Sequence, residues 1–360
     1  MTMTQTSPET TQRTSRTSPS PTGLAGTVSA LFTRRPELVS LCLLLAICIA
    51  VALINPAFLS PTSLIDMGRA SVVTGLFALG VFSILAAGGI DVSFTAIAAF
   101  TMYSLTLFVL NVAPGLPMAA IIAIAVAGGT LLGAINGFLV HHLQVAALIV
   151  TIGTQYLFRG ILLAFIGTVW LMELPPQMVA FGKASMLDFT TANGATVSLP
   201  WYFLVFPAAA VVTWVIFNRT LMGRAIFATG GNPEVAARLG YDQRKVHLFV
   251  FAFAGGLAGL AGIIHVCANR MANPFDLVGT EIGVIAAVVL GGARITGGTG
   301  SVFGTVTGVL LITVVNNVLV LVGIPSTWQR VVVGAFILLA AAFFVTRRRK
   351  LQSTTVKRAP

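Results

Sequence analysis

Apolar stretches of about 20 residues recur along the whole chain, and this is the length that crosses a hydrocarbon core as a helix. Burial of these stretches inside one large water-soluble core is the alternative. However, only 9% of the 360 residues are charged and the mean hydropathy is +0.95, whereas a soluble domain has about 25% charged residues to cover its surface. The pattern therefore predicts an all-α polytopic membrane protein.

Hydropathy places about ten membrane spans along the chain, and two of them are interrupted. The span 281–293 is short and runs into the glycine-rich segment 291–304, and the span 70–87 is followed directly by Gly88 and Gly89. Short, glycine-interrupted spans in the two halves of a transporter indicate broken helices around a pathway. Close packing of helices through small residues is the alternative. The predicted spans are 38–54, 70–87, 93–110, 118–140, 145–166, 200–217, 246–267, 281–293, 302–322 and 329–345.

The basic residues predict the orientation of the spans. Lys and Arg are enriched in cytoplasmic segments; Arg34 and Arg35 precede the first span, and four consecutive basic residues, 347–350, follow the last. With both termini in the cytoplasm, 16 of the 21 basic residues lie on the cytoplasmic side, and the loop 218–245 is the largest internal cytoplasmic loop. The basic residues on or near the outer side are Arg69, Lys183, Arg270 and Arg330.

The two ends of the chain differ in composition from the spans. Residues 1–36 are rich in Ser, Thr, Pro and Arg and contain one acidic residue, Glu9. A segment with so little apolar surface to bury is predicted to be a disordered cytoplasmic tail, although its composition is also similar to that of an organellar transit peptide. The predicted organisation is a tail at 1–36, a transmembrane domain at 37–346 and a basic cytoplasmic tail at 347–360.

The largest cytoplasmic loop contains the sequence GGNPEVAARLGYD, which has the ends of a short helix. Asn232 is a typical N-cap, Pro233 fits the first helical position, and Glu234 lies in the first turn, where the helix dipole favours an acid. Gly240 can adopt the left-handed conformation that ends a helix. The sequence predicts a docked helix over about 232–240, which either lies on its own membrane domain or fits a groove in a partner.

A few polar residues lie in or next to the spans. Asp91 follows a span directly, and an acid at membrane depth needs a partner or a function; helix capping, which Ser93 could also provide, is the alternative. Glu281 opens a span, where the helix dipole accounts for it. Four amide side chains suit a path for hydroxyl-rich solutes because they donate and accept hydrogen bonds without a charge. Interhelical hydrogen bonding is the alternative, and it is the simpler explanation for each residue taken alone. The predicted path residues are Asp91, Ser93 and these four amides, which belong to Asn136, Gln155, Asn316 and Asn317.

Ordered landmarks between about residues 64 and 345 resemble the permease subunit of ribose-type ABC importers, the simple-sugar and autoinducer-2 group. The chain departs from that group at Phe94 and Thr95, where a small residue followed by glycine is usual. The landmarks are GGIDVSFT (88–95), GAINGFLV (133–140), LFRG (157–160), GRAIFATGGNPEVAARLGYD (223–242), AGLAGI (258–263), IAAVVLGGARITGGTGSVFGT (285–305) and NNVLVLVGIPSTWQ (316–329).

The resemblance implies that the helix in the largest cytoplasmic loop is a coupling helix, which docks in a groove of a separate ABC ATPase subunit. It also implies an extracytoplasmic sugar-binding protein, a second permease copy or paralogue and membrane lipid as partners, with no nucleic acid. ATP and Mg²⁺ are expected on the partner ATPase, with no cofactor on this chain, and the location is the bacterial cytoplasmic (inner) membrane. The coupling role falls on Gly231, Asn232, Pro233, Glu234, Ala237, Arg238 and Gly240.

The sequence has no GxxxxGK[ST] phosphate loop, as expected of a transporter subunit without its own ATPase site. It also has no Cys/His group to hold a metal and no catalytic constellation, so neither a metal site nor catalytic residues are predicted. A self-sufficient secondary transporter coupled to protons or sodium is the alternative function, with Asp91 as its ion-coupling acid.

Overall fold

The computed structural model describes most of the chain: residues 37–190 and 196–325, with residues 328, 331, 334, 335 and 338. Within this part, eight helices are long and apolar enough to cross a membrane. One further apolar helix, at the predicted span 281–293, has only ten residues. The predicted tails 1–36 and 347–360 and most of the predicted span 329–345 lie outside the described residues.

Twelve helices of the described part are numbered here in chain order. Short 3₁₀ turns precede α2 and α7, and a π-helical turn continues α5 over Leu162–Ile166. The helices are α1 (Glu37–Ile54), α2 (Pro61–Ala86), α3 (Phe94–Asn111), α4 (Met118–Leu143), α5 (Ala147–Ile161), α6 (Pro176–Lys183), α7 (Val205–Arg219), α8 (Leu221–Gly231), α9 (Pro233–Arg238), α10 (Gln243–Asn269), α11 (Glu281–Leu290) and α12 (Val302–Leu321).

Each predicted span except the last falls on one of these helices, but α2 begins well before the predicted residue 70. The Ser60 hydroxyl caps α2 by accepting the backbone N–H of Ser63 at 3.2 Å. Asp66 and Arg69 lower the hydropathy of the first turns, yet they lie one turn apart and their charged groups are 3.9 Å apart. The helix therefore continues beyond the apolar stretch that hydropathy detects.

The segment between α5 and α7 contains the only pair of β-strands among the described residues. Strand β1 (Ser185–Thr190) pairs antiparallel with β2 (Thr196–Pro200). Val and Thr in β2 favour the extended conformation because they are β-branched. The all-α prediction holds for the spans, and this hairpin is the exception to it.

Glycines bring α4 and α10 unusually close together. A Cβ added at Gly133 would lie 2.1 Å from the Phe251 carbonyl oxygen, and one at Gly255 would lie 2.2 Å from the Gly129 carbonyl oxygen. Such close backbone approach stabilises helix pairs in lipid, where burial of apolar side chains provides little drive. Helix α10 thereby becomes central: it also contacts α2 and α3, while α1 lies at the periphery and exposes its apolar side chains.

Candidate functional site

The helix predicted over 232–240 is α9, and its first turn is built as the sequence indicates. The Asn232 side chain accepts the backbone N–H of Val235 at 3.1 Å, so the N-cap prediction is confirmed. Pro233 is the first helical residue and Glu234 follows it. This turn satisfies a free backbone donor with a local side chain, so α9 begins at a defined residue.

The other end of α9 is closed by a left-handed residue. Arg238 is the last helical residue, and Gly240 has φ = +84°. The backbone N–H of Tyr241 donates to the Ala236 carbonyl at 3.1 Å, which is the bond of a Schellman motif. A glycine suits this position because a side chain would strain the left-handed conformation.

Helix α9 projects from the bundle with a single buried side chain. Within 231–240 only Ala236 is buried, at 1% exposure. Val235 and Leu239 are exposed apolar residues, and Leu239 is 69% exposed. Glu234 and Arg238 are exposed as well. A helix this short gains little from its own hydrogen bonds, so its rigid ends and its projecting surface indicate a docking element.

Neighbouring segments fix α9 to the membrane helices. The Gln243 side-chain amide, in the first turn of α10, donates to the Pro233 carbonyl at 2.7 Å. Asp242 caps α10 by accepting the backbone N–H groups of Arg244 and Lys245 at 2.9 and 3.2 Å. These bonds hold the pKa of Asp242 below its ordinary value, and the bond from the Lys245 N–H has the largest effect. The Gln243–Pro233 bond thus joins the start of α9 directly to the start of α10.

On its other side, α9 follows helix α8, which ends at a backbone contact of four glycines. We call this contact the glycine junction; it consists of Gly88, Gly230, Gly297 and Gly298. A Cβ at Gly230 would lie 2.0 Å from the Ala86 carbonyl oxygen, and one at Gly297 would lie 2.6 Å from the Gly88 Cα. The backbone N–H of Gly298 donates to the Ala86 carbonyl at 3.0 Å. The two glycine breaks predicted from the sequence therefore meet each other, next to α9.

A cavity of about 430 Å³ opens beside the glycine junction. Gly88, Gly230, Pro233 and Gln243 contribute to its wall, together with the turn between α4 and α5 at 144–147. The cavity thus borders both the start of α9 and the broken segment after α2. Movement of α9 would change its shape.

Three of the predicted path residues form one buried network. Asp91 accepts both the backbone N–H and the hydroxyl of Ser93 at 2.6 Å, and the Asn136 amide donates to the Ser93 hydroxyl at 2.7 Å. The side-chain amide oxygen of Asn136, Oδ1, is fully buried and has no hydrogen-bond partner in the described part of the chain. The network ties the broken segment 87–93 to α4 and leaves one acceptor unused.

The remaining predicted path residues lie elsewhere. The Gln155 amide donates to the Glu281 carboxylate at 3.0 Å, and Thr95 donates to the same oxygen atom at 2.6 Å. Asn317 accepts the Ser63 hydroxyl at 3.1 Å and so joins α12 to α2. Asn316 is half-buried. The structure therefore divides the six residues among separate places and adds Thr95 and Glu281.

The chain matches the family described as "Branched-chain amino acid transport system / permease component" over residues 63–341. This match covers the broken helices, the glycine junction and α9. The chain belongs to this family. It is a permease component, and this finding favours the predicted permease subunit over the alternative, an ion-coupled secondary transporter.

Curated relatives of this permease align over most of their length. The ribose import permease protein RbsC of Haemophilus influenzae is 33% identical over 302 residues, which are 84% of this chain and 90% of the relative. RbsC of Bacillus subtilis is 33% identical over 300 residues, 81% and 87% of the two chains. The autoinducer 2 import system permease protein LsrC of Escherichia coli O157:H7 is 30% identical over 313 residues, 87% of each chain. No solved structure matches the permease.

Sequence reasoning assigned Glu281 to the helix dipole alone, whereas in the permease its carboxylate joins α11 to α3 and α5. A signal for a larger role was present, because an acid that opens the shortest apolar helix lies at membrane depth. The sequence also missed α8, whose N-cap Thr220 accepts the Gly223 N–H at 3.2 Å. Its apolar and small residues do not separate it from a loop.

Proposed function

We propose that this permease is the transmembrane subunit of an ATP-driven importer in the bacterial inner membrane, and that it forms the path for a simple sugar or related polyol. A separate extracytoplasmic protein delivers the solute, and separate ATPase subunits bind ATP and Mg²⁺. The observation that carries the proposal is α9: a helix with two defined ends, an exposed surface and a single buried side chain. Its surface offers apolar and charged groups to a groove in the ATPase.

The proposed topology has ten spans with both termini in the cytoplasm. Eight long helices and α11 supply nine of them, and 329–345 supplies the tenth. The distribution of Lys and Arg supports this orientation. Residues 1–36 and 347–360 are the cytoplasmic tails in this scheme, and α9 lies on the ATPase side.

Coupling follows from the connections of α9. Displacement of α9 moves α8 and thus Gly230, whose backbone packs against the carbonyl of Ala86 and the amide of Gly298. Ala86 ends α2 directly before the broken segment 87–93, and Gly298 lies in the broken segment 291–300. Two nucleotide states of the ATPase can then favour different arrangements of these segments and open the path on one side at a time.

The outer face offers a second docking surface. Three of the four basic residues assigned to that side line one cavity of about 320 Å³, and Asp66 is the acid among its lining residues. An excess of positive charge suits the carboxylates of a delivering protein, because charge complementarity steers and orients docking. The three basic residues are Arg69, Lys183 and Arg270.

The polar groups inside the bundle favour hydroxyl-rich solutes over amino acids. Amide and hydroxyl groups predominate among the path candidates, and the acids Asp91 and Glu281 accept hydrogen bonds from them. An amino acid would need a buried cation for its carboxylate. The curated relatives named for ribose and autoinducer 2 agree with a sugar or polyol.

The test is recovery of partners from native membranes in mild detergent. The wild-type chain should co-purify an ATPase, and replacement of 232–240 by a Gly/Ser linker should lose it while membrane insertion is kept. Charge reversals Glu234→Lys and Arg238→Glu should uncouple ATP hydrolysis from uptake. Recovery of the chain without an ATPase, together with uptake in ATP-free vesicles under an ion gradient, would refute the proposal.

A further inference from the structure

The buried carboxylate of Glu281 has an unusual position. Helix α11 has ten residues and is about 15 Å long, which is half of a hydrocarbon core of about 30 Å. Its C-terminal end leads through Gly291 to the glycine junction on the side of α9. With the junction at the cytoplasmic boundary, as in the proposed topology, its first residue, Glu281, lies at about the depth of the bilayer centre.

A second helix gives the same depth independently. Gln155 lies about 12 Å along α5 from its first residue, Ala147, and Ala147 borders the cavity beside the junction. Since the Gln155 amide donates to Glu281 at 3.0 Å, both residues are at one level. Thr95, in the first turn of α3, meets them there because the broken segment 87–93 places the start of α3 inside the bundle.

The Glu281 carboxylate has no charge partner in the described part of the chain, whose ion pairs involve other acids. The side chain is buried, at 7% exposure, and its two hydrogen bonds both reach Oε1. Oε2 accepts none from the described residues and is not among the fully enclosed polar atoms without a partner. This oxygen is therefore not fully enclosed, and it is available to a further donor.

The same site lies at an open edge of the subunit. Ile282 and Tyr156, the neighbours of Glu281 and Gln155 in sequence, are each 74% exposed. A carboxylate at membrane depth is costly unless it is paired or serves transport. Two donors on one oxygen reduce that cost, and the exposed neighbours place the site at the edge where a path between two subunits would run.

We infer that Glu281, Thr95 and Gln155 form a transient binding site for polyol hydroxyl groups at the middle of the path, a step that rests on the proposed import of sugars. The Glu281 carboxylate accepts solute hydroxyls, and charge-assisted bonds of this kind are about twice as strong as neutral ones. Thr95 and Gln155 hold the carboxylate when the site is empty, and their hydroxyl and amide groups can donate or accept when a solute enters. The site thereby selects solutes with adjacent hydroxyls.

The experiment measures uptake in cells that contain the complete importer. The probes are radiolabelled D-ribose, D-xylose, D-galactose and xylitol, with 2-deoxy-D-ribose and 2-deoxy-D-galactose as analogues that lack one hydroxyl. The variants are Glu281→Gln and Thr95→Val, which keep side-chain size. The matched control is Thr106→Val, because Thr106 is equally buried on α3 but donates only to its own helix, to the Met102 carbonyl. Co-purification of the ATPase verifies that each variant assembles.

In the two site variants we expect uptake of the transported sugar to fall about tenfold or more, the effect of losing a hydrogen bond to a charged group. The ratio of parent to deoxy analogue should also move toward one, whereas the control keeps both the rate and the ratio. Discrimination by the delivering protein is the same in all variants and cancels from this comparison.

A merely structural role for Glu281 would lower the uptake of parent and analogue equally, and an unchanged ratio would overturn the inference while sugar import stands. Failure of a site variant to assemble would also overturn it, because the carboxylate would then be needed for folding. Uptake of none of the probes by the wild type would overturn both this inference and the proposed sugar function.

Discussion

Gly230→Ala tests the glycine junction directly. The new Cβ would lie 2.0 Å from the Ala86 carbonyl oxygen and 2.6 Å from the Gly298 nitrogen. Carbon and oxygen atoms approach to about 3.3 Å without strain, so α8 and the end of α2 must separate by about 1.3 Å. Because the same Cβ lies close to both atoms of the Gly298–Ala86 hydrogen bond, now 3.0 Å long, it also pushes the Gly298 amide away from the Ala86 carbonyl. Overpacking costs about 1 to 3 kcal/mol and the lost bond about 1 kcal/mol.

A cost of about 2 kcal/mol or more on one state of the transport cycle corresponds to at least a tenfold change in its population. We therefore expect ATP-driven uptake by Gly230→Ala to fall at least about tenfold, with the ATPase still bound because α9 keeps its own caps. The control is Gly153→Ala on α5, where a Cβ meets nothing within 4 Å. Uptake is measured in cells with the amount of permease in the membrane determined alongside.

Equal uptake by Gly230→Ala and wild type would refute the assignment of a tight junction. Equal impairment of Gly230→Ala and Gly153→Ala would show that uptake responds to any methyl group added to a membrane helix rather than to the contact with Ala86. Loss of ATPase binding by Gly230→Ala would place the defect in α9 instead.

Three further outcomes are expected. Gly133→Ala should lower the thermal stability of the detergent-solubilised permease, because its Cβ would lie 2.1 Å from a carbonyl oxygen of α10. Gly153→Ala, whose Cβ would have nothing within 4 Å, should leave the melting temperature unchanged. Equal melting temperatures of the two variants would contradict the packing argument. Asn232→Ala should weaken ATPase co-purification, because the Val235 N–H loses its partner and loss of an N-cap destabilises a helix by about 1 kcal/mol. Unchanged recovery at a limiting amount of ATPase would show that docking itself orders α9. Leu239→Asp should reduce ATPase binding without affecting insertion, because Leu239 is exposed and apolar; full binding would place the ATPase contact elsewhere.

The sequence by itself determined the features whose causes are local. Span positions follow from runs of apolar residues, because each run must match the membrane thickness. The ends of α9 also follow from the sequence, since Asn232 bonds a backbone group three residues away and Gly240 needs only its own backbone freedom. The extra length of α2 was not predicted, because hydropathy detects the residues that lie in the membrane core and not the polar helical turns that precede them.

The tertiary structure alone decided which distant residues meet. Glu281 lies 186 residues from Thr95 and 126 from Gln155 in sequence, and no local pattern relates three such positions. The glycine junction likewise required three separate segments to pack backbone against backbone, which a glycine permits but does not specify. Packing of whole helices sets these contacts, and the free energy of that packing is summed over many residues. The sequence could therefore indicate candidate path residues by their residue type, but it could not indicate which of them lie next to each other.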